Sequence, residues 1–194
     1  MNVQLRIGTA DDAPAVHQLI ACNLANGHLL PRTEDEIALH IERFVVAACD
    51  GELVGCGELA PLSADVAEVR SLVVDEQWRG RGTGAALVNA ISERGRALGF
   101  LTLSAFTHQP SHFVRLGFSI VPHAWVPEKI AHDCAGCALF RKCGQYAVSL
   151  ALRPGAGLRL IDVSAAPRVA AARRASVERL RLPEEATVSE RIPA

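Results

Sequence analysis

The sequence lacks an excess of charge of either sign, and it has no long hydrophobic run. It contains 20 Lys and Arg against 21 Asp and Glu, a formal net charge of −1 over 194 residues. Nucleic acids and anionic membrane surfaces select for clustered positive charge, so we expect neither as a partner. A bilayer-spanning helix needs about 20 mainly apolar residues, and no stretch approaches that length. The first residues alternate in polarity, unlike a signal peptide, so we expect a cytoplasmic protein.

A disulfide framework is not indicated either, although the chain has six Cys. Disulfides are rare in cytoplasmic proteins, so free thiols or a metal site are the alternatives. Three Cys are scattered and three are clustered: Cys22, Cys49 and Cys56, then Cys134, Cys137 and Cys143. The cluster approximates a zinc spacing but supplies three thiols, so His123, His132 or Asp133 would have to be the fourth ligand. We expect reduced thiols that pack a loop, and no metal.

Length and apolar content favour one main domain. A domain of about 150 residues buries a sizeable core, and 49% of this chain is hydrophobic. After residue 152 the composition shifts toward Ala, Arg and Pro, so we expect a domain over residues 1–152 and an extension over residues 153–194. In the extension, Leu158, Leu160 and Val163 favour a strand and residues 167–182 an Arg-rich helix; a partly ordered tail is the alternative.

The periodicity of the first 152 residues predicts a mixed α/β (α+β) domain. Alternating or buried runs predict strands at residues 3–7, 44–49, 53–59, 66–74, 100–106, 118–121 and 146–152. Asp50-Gly51 predicts a hairpin turn between the second and third strands, with Glu52 as a further loop candidate.

Four helices fall between these strands. The first carries Val16, Leu19 and Ile20 on one face, and the second starts at a capping box of Thr33 with Glu36. We expect the second helix to run to about Arg43, and two more over residues 83–98 and 111–116.

A glycine-rich turn joins the strand at 66–74 to the helix at 83–98. Gly80, Gly82 and Gly84 have no Cβ, so backbone N–H groups can converge on phosphate oxygens at a helix N-terminus. Arg79 and Arg81 add charges that can pair with phosphates. No Lys-Ser/Thr follows, so the turn is not a P-loop, and the glycine spacing is not that of a dinucleotide fold. The pattern favours a pyrophosphate cradle over an ordinary glycine-rich turn.

This turn is one of several segments that together point to a family. They stand in order along the chain at residues 27–33 (GHLLPRT), 44–46, 51–56, 68–74, 79–84, 112–118 and 126–130. In these segments residues 3–152 resemble the N-acetylglutamate synthase branch of the GNAT superfamily, in particular its short bacterial form without a kinase domain. The resemblance implies a mixed sheet splayed between its fourth and fifth strands, where the pantetheine arm of acetyl-CoA lies. It also implies acetyl transfer to the α-amine of L-glutamate, the entry step of arginine biosynthesis.

The same resemblance implies where both substrates bind. Positions expected to hold acetyl-CoA are Leu72, Val73, Val74, Arg79, Gly80, Arg81, Gly82, Thr83 and Gly84. A backbone N–H near Val73 or Val74 would polarise the thioester carbonyl. Positions expected to hold the amino-acid acceptor are Leu30, Arg32, Arg70 and Ser71.

A substrate with two carboxylates needs fixed cations. Arg32 could clamp one carboxylate in its fork. Period-two alternation puts Arg70 on the strand face of Glu68 and Leu72, where it is either a second carboxylate partner or the salt-bridge mate of Glu68. Other cations near the last strand, Arg141 and Lys142, could reach a carboxylate but are more simply solvated.

The reaction also needs a base, because a free amino acid carries an ammonium group at neutral pH. Glu68, at the mouth of the expected splay, is the predicted base, and a structural pair with Arg70 is the alternative reading of this residue. Glu58 is the reserve candidate. Many GNAT enzymes have a Tyr in the short-helix motif as the acid for the departing thiolate, but here Val114 follows Phe113. The acid is therefore left open among water, Ser111 and His112.

Two other functions are compatible with these residues. One is a GNAT acetyltransferase for another small amine or a protein N-terminus. A monoamine acceptor has no carboxylate for Arg32 to bind. The other is a low-turnover module that binds CoA or senses arginine, which would have no use for a base at Glu68. A homodimer is compatible with any of these functions, because GNAT proteins often pair.

Overall fold

The structure is a computed structural model that describes residues 3–24 and 29–154. The strand and helix expected beyond residue 154, and the first two residues of the GHLLPRT segment, lie outside the described residues. In the part that is described, no helix is long and apolar enough to cross a membrane.

The expected order of seven strands and four helices is confirmed, and a short helix that was not expected lies between the last two strands. The strands are β1 (Gln4–Ile7), β2 (Phe44–Cys49), β3 (Glu52–Pro61), β4 (Val66–Val74), β5 (Thr102–Thr107), β6 (Ser119–Val121) and β7 (Tyr146–Ala151). The helices are α1 (Ala13–Asn23), α2 (Glu34–Leu39), α3 (Thr83–Ala97), α4 (Pro110–Val114) and the short α5 (Pro127–Lys129). A π-helical turn, Ile130–Cys134, continues α5.

The strands form one mixed sheet in the order β1-β2-β3-β4-β5-β7-β6. Among these seven described strands only β4 and β5 run parallel to each other, and they pair at three positions that end with Glu68 opposite Ser104. Beyond that pair β4 continues to Val74, while β5 stays paired with β7 up to Thr107. The expected splay between the fourth and fifth strands is therefore confirmed.

The Asp50-Gly51 hairpin is as tight as its sequence indicates. Asp50 has φ 51° and Gly51 φ 89°, and Cys49 already pairs with Glu52. Two successive residues with positive φ match the right-handed twist of the flanking strands. Glu52 thus belongs to β3 and not to the loop.

The second helix ends earlier than expected. α2 stops at Leu39 because His40 leaves the helical region, with φ −122°. A short 3₁₀ turn, Ile41–Arg43, then leads into β2. Ile37 and Ile41 are both buried, and the turn places Ile41 against Gly8 of the chain after β1. Packing at the start of β2 overrides the helical periodicity here.

Two hydrophobic layers cover the two faces of the sheet. On one face α3 contributes Leu87, Val88 and Ile91 to a core with alternate residues of β2 to β5. On the other face α1 and α2 pack on the intervening residues, which include Val46 and Val73. The alternation of side chains along each strand thus sorts them between the two layers.

A β-bulge in β4 interrupts this alternation. Cys56 pairs with Val73, but two residues later Glu58 pairs with Arg70, so β4 carries one extra residue. Ser71 has φ 47°, the left-handed conformation of a bulged residue. Leu72 consequently joins the α3 layer. The expectation that Leu72 shares a face with Glu68 and Arg70 is wrong, because the bulge shifts the phase after Ser71.

Candidate active site

A cleft of about 1450 Å³ opens where β4 and β5 part; we call it the central cleft. It collects side chains from the loop before α2, from β3 and β4, and from α4, α5 and the π-helical turn. Its lining includes these expected site residues: Leu30, Arg32, Glu68, Arg70, Ser71, Leu72, Val73, Val74 and Arg79. Two contacts in the cleft join residues far apart in the sequence: Arg32 bonds Glu58, 26 positions away, and Lys129 bonds Glu68, 61 positions away.

The glycine loop lies beside the central cleft. Arg81, Gly82 and Thr83 line a neighbouring pocket of about 500 Å³, together with Trp78 and with Leu5 of β1. Gly80 has φ 73° and Gly82 φ 86°, and a Cβ on either would meet no atom within 4 Å. These glycines therefore supply a backbone conformation, and the surface in front of them is open.

The N-terminus of α3 has the features of an anion-binding site. Gly82 is the N-cap of this 15-residue helix, and no side chain caps its first N–H groups. Such groups carry the positive end of the helix dipole and bind anions. A Cβ added to Gly84, in the first turn of α3, would lie 3.6 Å from the His112 ring.

The two loop arginines have protein partners. Arg79 donates from Nη2 to Asn23 Oδ1 at 2.5 Å and from Nε to the Val74 carbonyl at 3.1 Å. These bonds tie the loop to α1 and to the end of β4. The Arg81 guanidinium lies 5.2 Å from the centre of the Trp78 ring, within cation–π range.

Two carboxylates are buried in the central cleft. Glu58 is 2% exposed and Glu68 is 3% exposed. Glu58 accepts a hydrogen bond from Arg32 Nη1 at 2.9 Å. Glu68 accepts one from Arg70 Nε at 2.6 Å and two from Lys129 Nζ at 2.8 and 2.9 Å. Buried carboxylates are stable only when cations or donors compensate the loss of water, and both have such partners.

The salt bridge between Glu68 and Arg70 was one of the two alternatives for Arg70, and the structure contains it. A second nitrogen of the Arg70 guanidinium, Nη2, donates to Asp133 Oδ2. Lys129 Nζ donates to the same oxygen at 2.7 Å. Glu68, Arg70, Lys129 and Asp133 therefore form one network of alternating charges.

The environment shifts two pKa values in this network. For Arg70, burial acts to lower the pKa, but the nearby carboxylates, Glu68 first, outweigh it and raise the pKa. For Asp133, burial acts to raise the pKa, but the hydrogen bond and charge of Lys129 and the charge of Arg70 lower it. The charged forms of Arg70 and Asp133 are thus favoured at neutral pH.

Lys129 and Asp133 are candidate site residues that the sequence does not single out, although Lys129 lies in the family-like segment 126–130 and Asp133 is a possible zinc ligand. The available signal was their i, i+4 spacing after Pro127, which is typical of a helical ion pair. That spacing does not reveal that the pair contacts β4.

Arg32 is held by its local structure. Thr33 and Glu36 form the expected capping box, with Glu36 N donating to Thr33 Oγ1 at 3.2 Å and Thr33 N donating to Glu36 Oε2 at 3.0 Å. Arg32 Nε also lies 3.7 Å from Glu36 Oε2, and its side chain is 17% exposed. The start of α2 therefore fixes the guanidinium against Glu58, facing the central cleft.

The clustered cysteines are free thiols in this structure. Cys134 is partly buried, and Cys137 and Cys143 are exposed. Of the residues considered as a fourth ligand, Asp133 is ion-paired with Lys129, and His123 bonds the Gln145 carbonyl at 2.9 Å. Across residues 3–24 and 29–154, no three His, Cys, Asp or Glu side chains are placed to hold a metal ion together.

The candidates for the general acid differ in position. His112 lines the central cleft, and burial, with a smaller effect of Arg115, lowers its pKa. Ser111 is exposed outside the cleft lining, and the single tyrosine, Tyr146, is 50% exposed on β7. Ser104 is fully buried at the parting and donates to the Ala67 carbonyl at 3.1 Å.

Comparison with known proteins identifies the family to which the chain belongs. The model of the acetyltransferase (GNAT) family matches residues 13–118. An uncharacterized N-acetyltransferase of Chlorobaculum tepidum is 30% identical over 137 residues, which cover 71% of this chain and 88% of that protein. The amino-acid acetyltransferase of Ralstonia nicotianae is 34% identical over 116 residues, which cover 59% of this chain and 26% of that protein.

A solved structure is similar over most of the described domain. N-acetylglutamate synthase from Neisseria gonorrhoeae, complexed with coenzyme A and N-acetyl-glutamate, superposes with a TM-score of 0.70 and 26% identity. The match covers 79% of this chain and 36% of that chain, so this chain spans only part of the synthase. The chain belongs to the acetyltransferase (GNAT) family, whose members are N-acetyltransferases that use acetyl-CoA.

Proposed function

We propose that this enzyme transfers the acetyl group of acetyl-CoA to the α-amine of L-glutamate, as the entry step of arginine biosynthesis. The observation that carries the proposal is the convergence of Arg32, Arg70 and Lys129 on one cleft at the parting of β4 and β5. An amino acid with two carboxylates needs more fixed cations in its binding site than an amino acid with one. Relatives named amino-acid acetyltransferase, and a similar synthase complexed with N-acetyl-glutamate, support the same substrate class.

Acetyl-CoA would bind from the glycine loop into the central cleft. The N–H groups of Gly80 to Gly84 and the uncapped start of α3 would hold the pyrophosphate. Arg79 and Arg81 would add charge once they release Asn23 and Trp78. Leu72, Val73 and Val74 would flank the pantetheine arm, and a backbone N–H at Val73 or Val74 would stabilise the developing oxyanion.

The amino-acid acceptor would bind in the central cleft beside Arg32. A guanidinium has five N–H donors, so Arg32 can hold Glu58 and an acceptor carboxylate together. Leu30, beside Arg32, and Ser71, at the bulge, complete this side of the subsite. Arg70 is the second candidate for a carboxylate, through the end of the guanidinium that does not face Glu68.

Glu68 would act as the base, directly or through a water molecule. The ammonium group of the acceptor gives up a proton, and the amine attacks the thioester carbonyl. The new C–N bond forms and the C–S bond breaks, the nitrogen releases its second proton to water, and the departing thiolate takes a proton from water or from His112. Lys129 covers both oxygens of Glu68, so it must leave one of them for the amine to approach. Glu58, equally buried, is the second candidate.

A test of the acceptor is release of free thiol from acetyl-CoA with L-glutamate, L-glutamine, L-aspartate, L-lysine and spermidine supplied separately. L-glutamate is expected to give the highest kcat/KM, and Arg32→Ala to raise its KM sharply. Turnover with spermidine alone would point to another small amine, and thiol release with none of them would contradict the proposal.

A test of the base compares Glu68→Gln with Glu58→Gln. Loss of the base is expected to lower kcat with L-glutamate by at least about a hundredfold. If only Glu58→Gln does so, the base is Glu58 and the assignment to Glu68 is wrong.

A further inference from the structure

Asp133 is placed where two cations of the central cleft converge. Its Oδ2 accepts hydrogen bonds from both Lys129 Nζ and Arg70 Nη2. The same two cations hold Glu68 from the other side. Two positive and two negative side chains give this network no net charge. A further carboxylate would therefore bind there only at the cost of uncompensated negative charge.

The two carboxylates of the network differ in accessibility. The Glu68 side chain is 4% exposed, whereas the Asp133 side chain is 31% exposed and lines the central cleft. Asp133 is thus the outer carboxylate, the one that an incoming molecule meets. Water can replace the bonds of a partly exposed group, so Asp133 costs far less to displace than Glu68.

The backbone that carries Asp133 is also unusual. Asp133 belongs to the π-helical turn Ile130–Cys134, in which Ala135 N donates to the Ile130 carbonyl at 3.1 Å. Single π-helical turns are rare and occur often at functional sites. The turn places Asp133 on the cleft side together with Lys129, four residues earlier.

We infer that Asp133 occupies the subsite for the acceptor's second carboxylate, and that a dicarboxylic amino acid binds by replacing Asp133 on Arg70 and Lys129. The inference rests on the proposed function, because it assumes that Arg32 holds the first carboxylate of the same acceptor. The exchange keeps the network neutral: one carboxylate leaves the two cations as another arrives. A neutral side chain, such as the amide of glutamine, needs no exchange and can donate a hydrogen bond to Asp133.

Asp133 therefore competes with the acceptor's second carboxylate for Arg70 and Lys129. This competition sets the enzyme's preference between an acceptor with a side-chain carboxylate and one with a side-chain amide. Replacing it with Asn removes the charge and keeps the size of the side chain. Asp133→Asn is expected to lower the KM for L-glutamate about two- to fivefold, the range of a partly exposed charge pair. The KM for L-glutamine is expected to stay unchanged or to rise.

The experiment measures kcat and KM for both amino acids at saturating acetyl-CoA, in wild type, Asp133→Asn and Asp133→Ala. Glu93→Gln, an exposed position on α3 outside the central cleft, makes the same change of net charge and serves as the control. The control is expected to leave both KM values at their wild-type level. Thermal unfolding of each variant separates a loss of folded protein from a change in affinity.

Each outcome decides between the hypotheses. A fall in KM for glutamate alone, in both Asp133 variants, supports the competitor role. An equal rise in KM for both amino acids shows that Asp133 only holds the subsite together, and an equal fall shows no preference; either result overturns the inference. If wild type acetylates glutamine but not glutamate, the proposed function fails and the inference fails with it. Glutamate turnover with an unchanged KM ratio overturns the inference alone.

Discussion

Glu68 on β4 and Ser104 on β5 form the last backbone pair before the two strands separate. Both side chains are buried, and at this end of the pairing Ser104 Oγ donates a hydrogen bond to the Ala67 carbonyl at 3.1 Å. The central cleft starts immediately beyond this pair. The position at which one parallel pairing ends thus determines where the charged network of the site can form.

The glycine loop gives a prediction that separates backbone strain from ligand binding. Gly82→Ala introduces a Cβ at φ 86°, which costs about 1–2 kcal/mol of stability although the space is open. It is also expected to raise the KM for acetyl-CoA severalfold, because the backbone N–H groups no longer converge on the pyrophosphate. Chemical denaturation and steady-state kinetics measure the two effects.

Gly51→Ala is the matched control for this prediction. Gly51 has φ 89° and equally open space, but it lies in the β2–β3 hairpin. The control is expected to lose a similar amount of stability with no change in KM. Equal KM values for the two variants would contradict a role of the loop in binding acetyl-CoA.

The pairing of Arg32 with Glu58 predicts an unusual double variant. Arg32→Ala leaves a carboxylate that is 2% exposed without its cation, so the free energy of unfolding is expected to fall by about 2–3 kcal/mol. Adding Glu58→Gln removes the charge and is expected to recover about half of that loss. The KM for glutamate should stay high in the double variant. If it returned to the wild-type value, Arg32 would serve only to neutralise Glu58.

Asp12 predicts a pH-dependent contribution to stability at the start of α1. Its carboxylate accepts hydrogen bonds from Arg6 at 2.6 and 2.7 Å, and from the Thr9 N–H and hydroxyl at 2.7 and 2.9 Å. The Arg6 bond first, and then those from Thr9, hold the pKa of Asp12 well below its usual range. A lowered pKa means that ionised Asp12 stabilises the fold above about pH 4, and that this stabilisation is lost as the pH falls further.

Asp12→Asn is accordingly expected to lower the free energy of unfolding by about 1–2 kcal/mol at pH 7, the size of a charged hydrogen bond. The difference from wild type should shrink as the pH falls below 4. Urea titrations at pH 7, 5, 4 and 3 measure it. Asp11→Asn, at the exposed neighbouring position, is the control and should show no such trend. A difference that stayed constant with pH would rule out the ionised carboxylate as its source.

Much of the fold could be predicted because its signals are local. Asp50-Gly51 specifies a two-residue hairpin, and Thr33 with Glu36 specifies a helix start, whatever surrounds them. The bulge at Ser71 has no such signal, since Ser is not a residue that marks a left-handed conformation. The register between β3 and β4 imposes it, and for that reason Leu72 was assigned to the wrong face.

The candidate site divides in the same way. The glycine loop and Arg32 belong to short segments with recognisable patterns. Lys129 and Asp133 contact Glu68 and Arg70 across 61 and 63 residues of sequence, and only the folded chain brings them together. Long-range pairing of charges is the part of this site that local patterns do not encode.

The early end of the β4–β5 pairing has a further effect on how the protein behaves among its own copies. It creates two unpaired strand edges in the middle of a sheet, and such edges are the usual starting points of aggregation. Here they face each other across the central cleft, and the β4 side carries Glu68 and Arg70, which are ion-paired with Lys129 and Asp133. Charged side chains on a strand disfavour its pairing with a strand of another molecule. The charged network of the site thus also protects this part of the sheet from intermolecular strand addition.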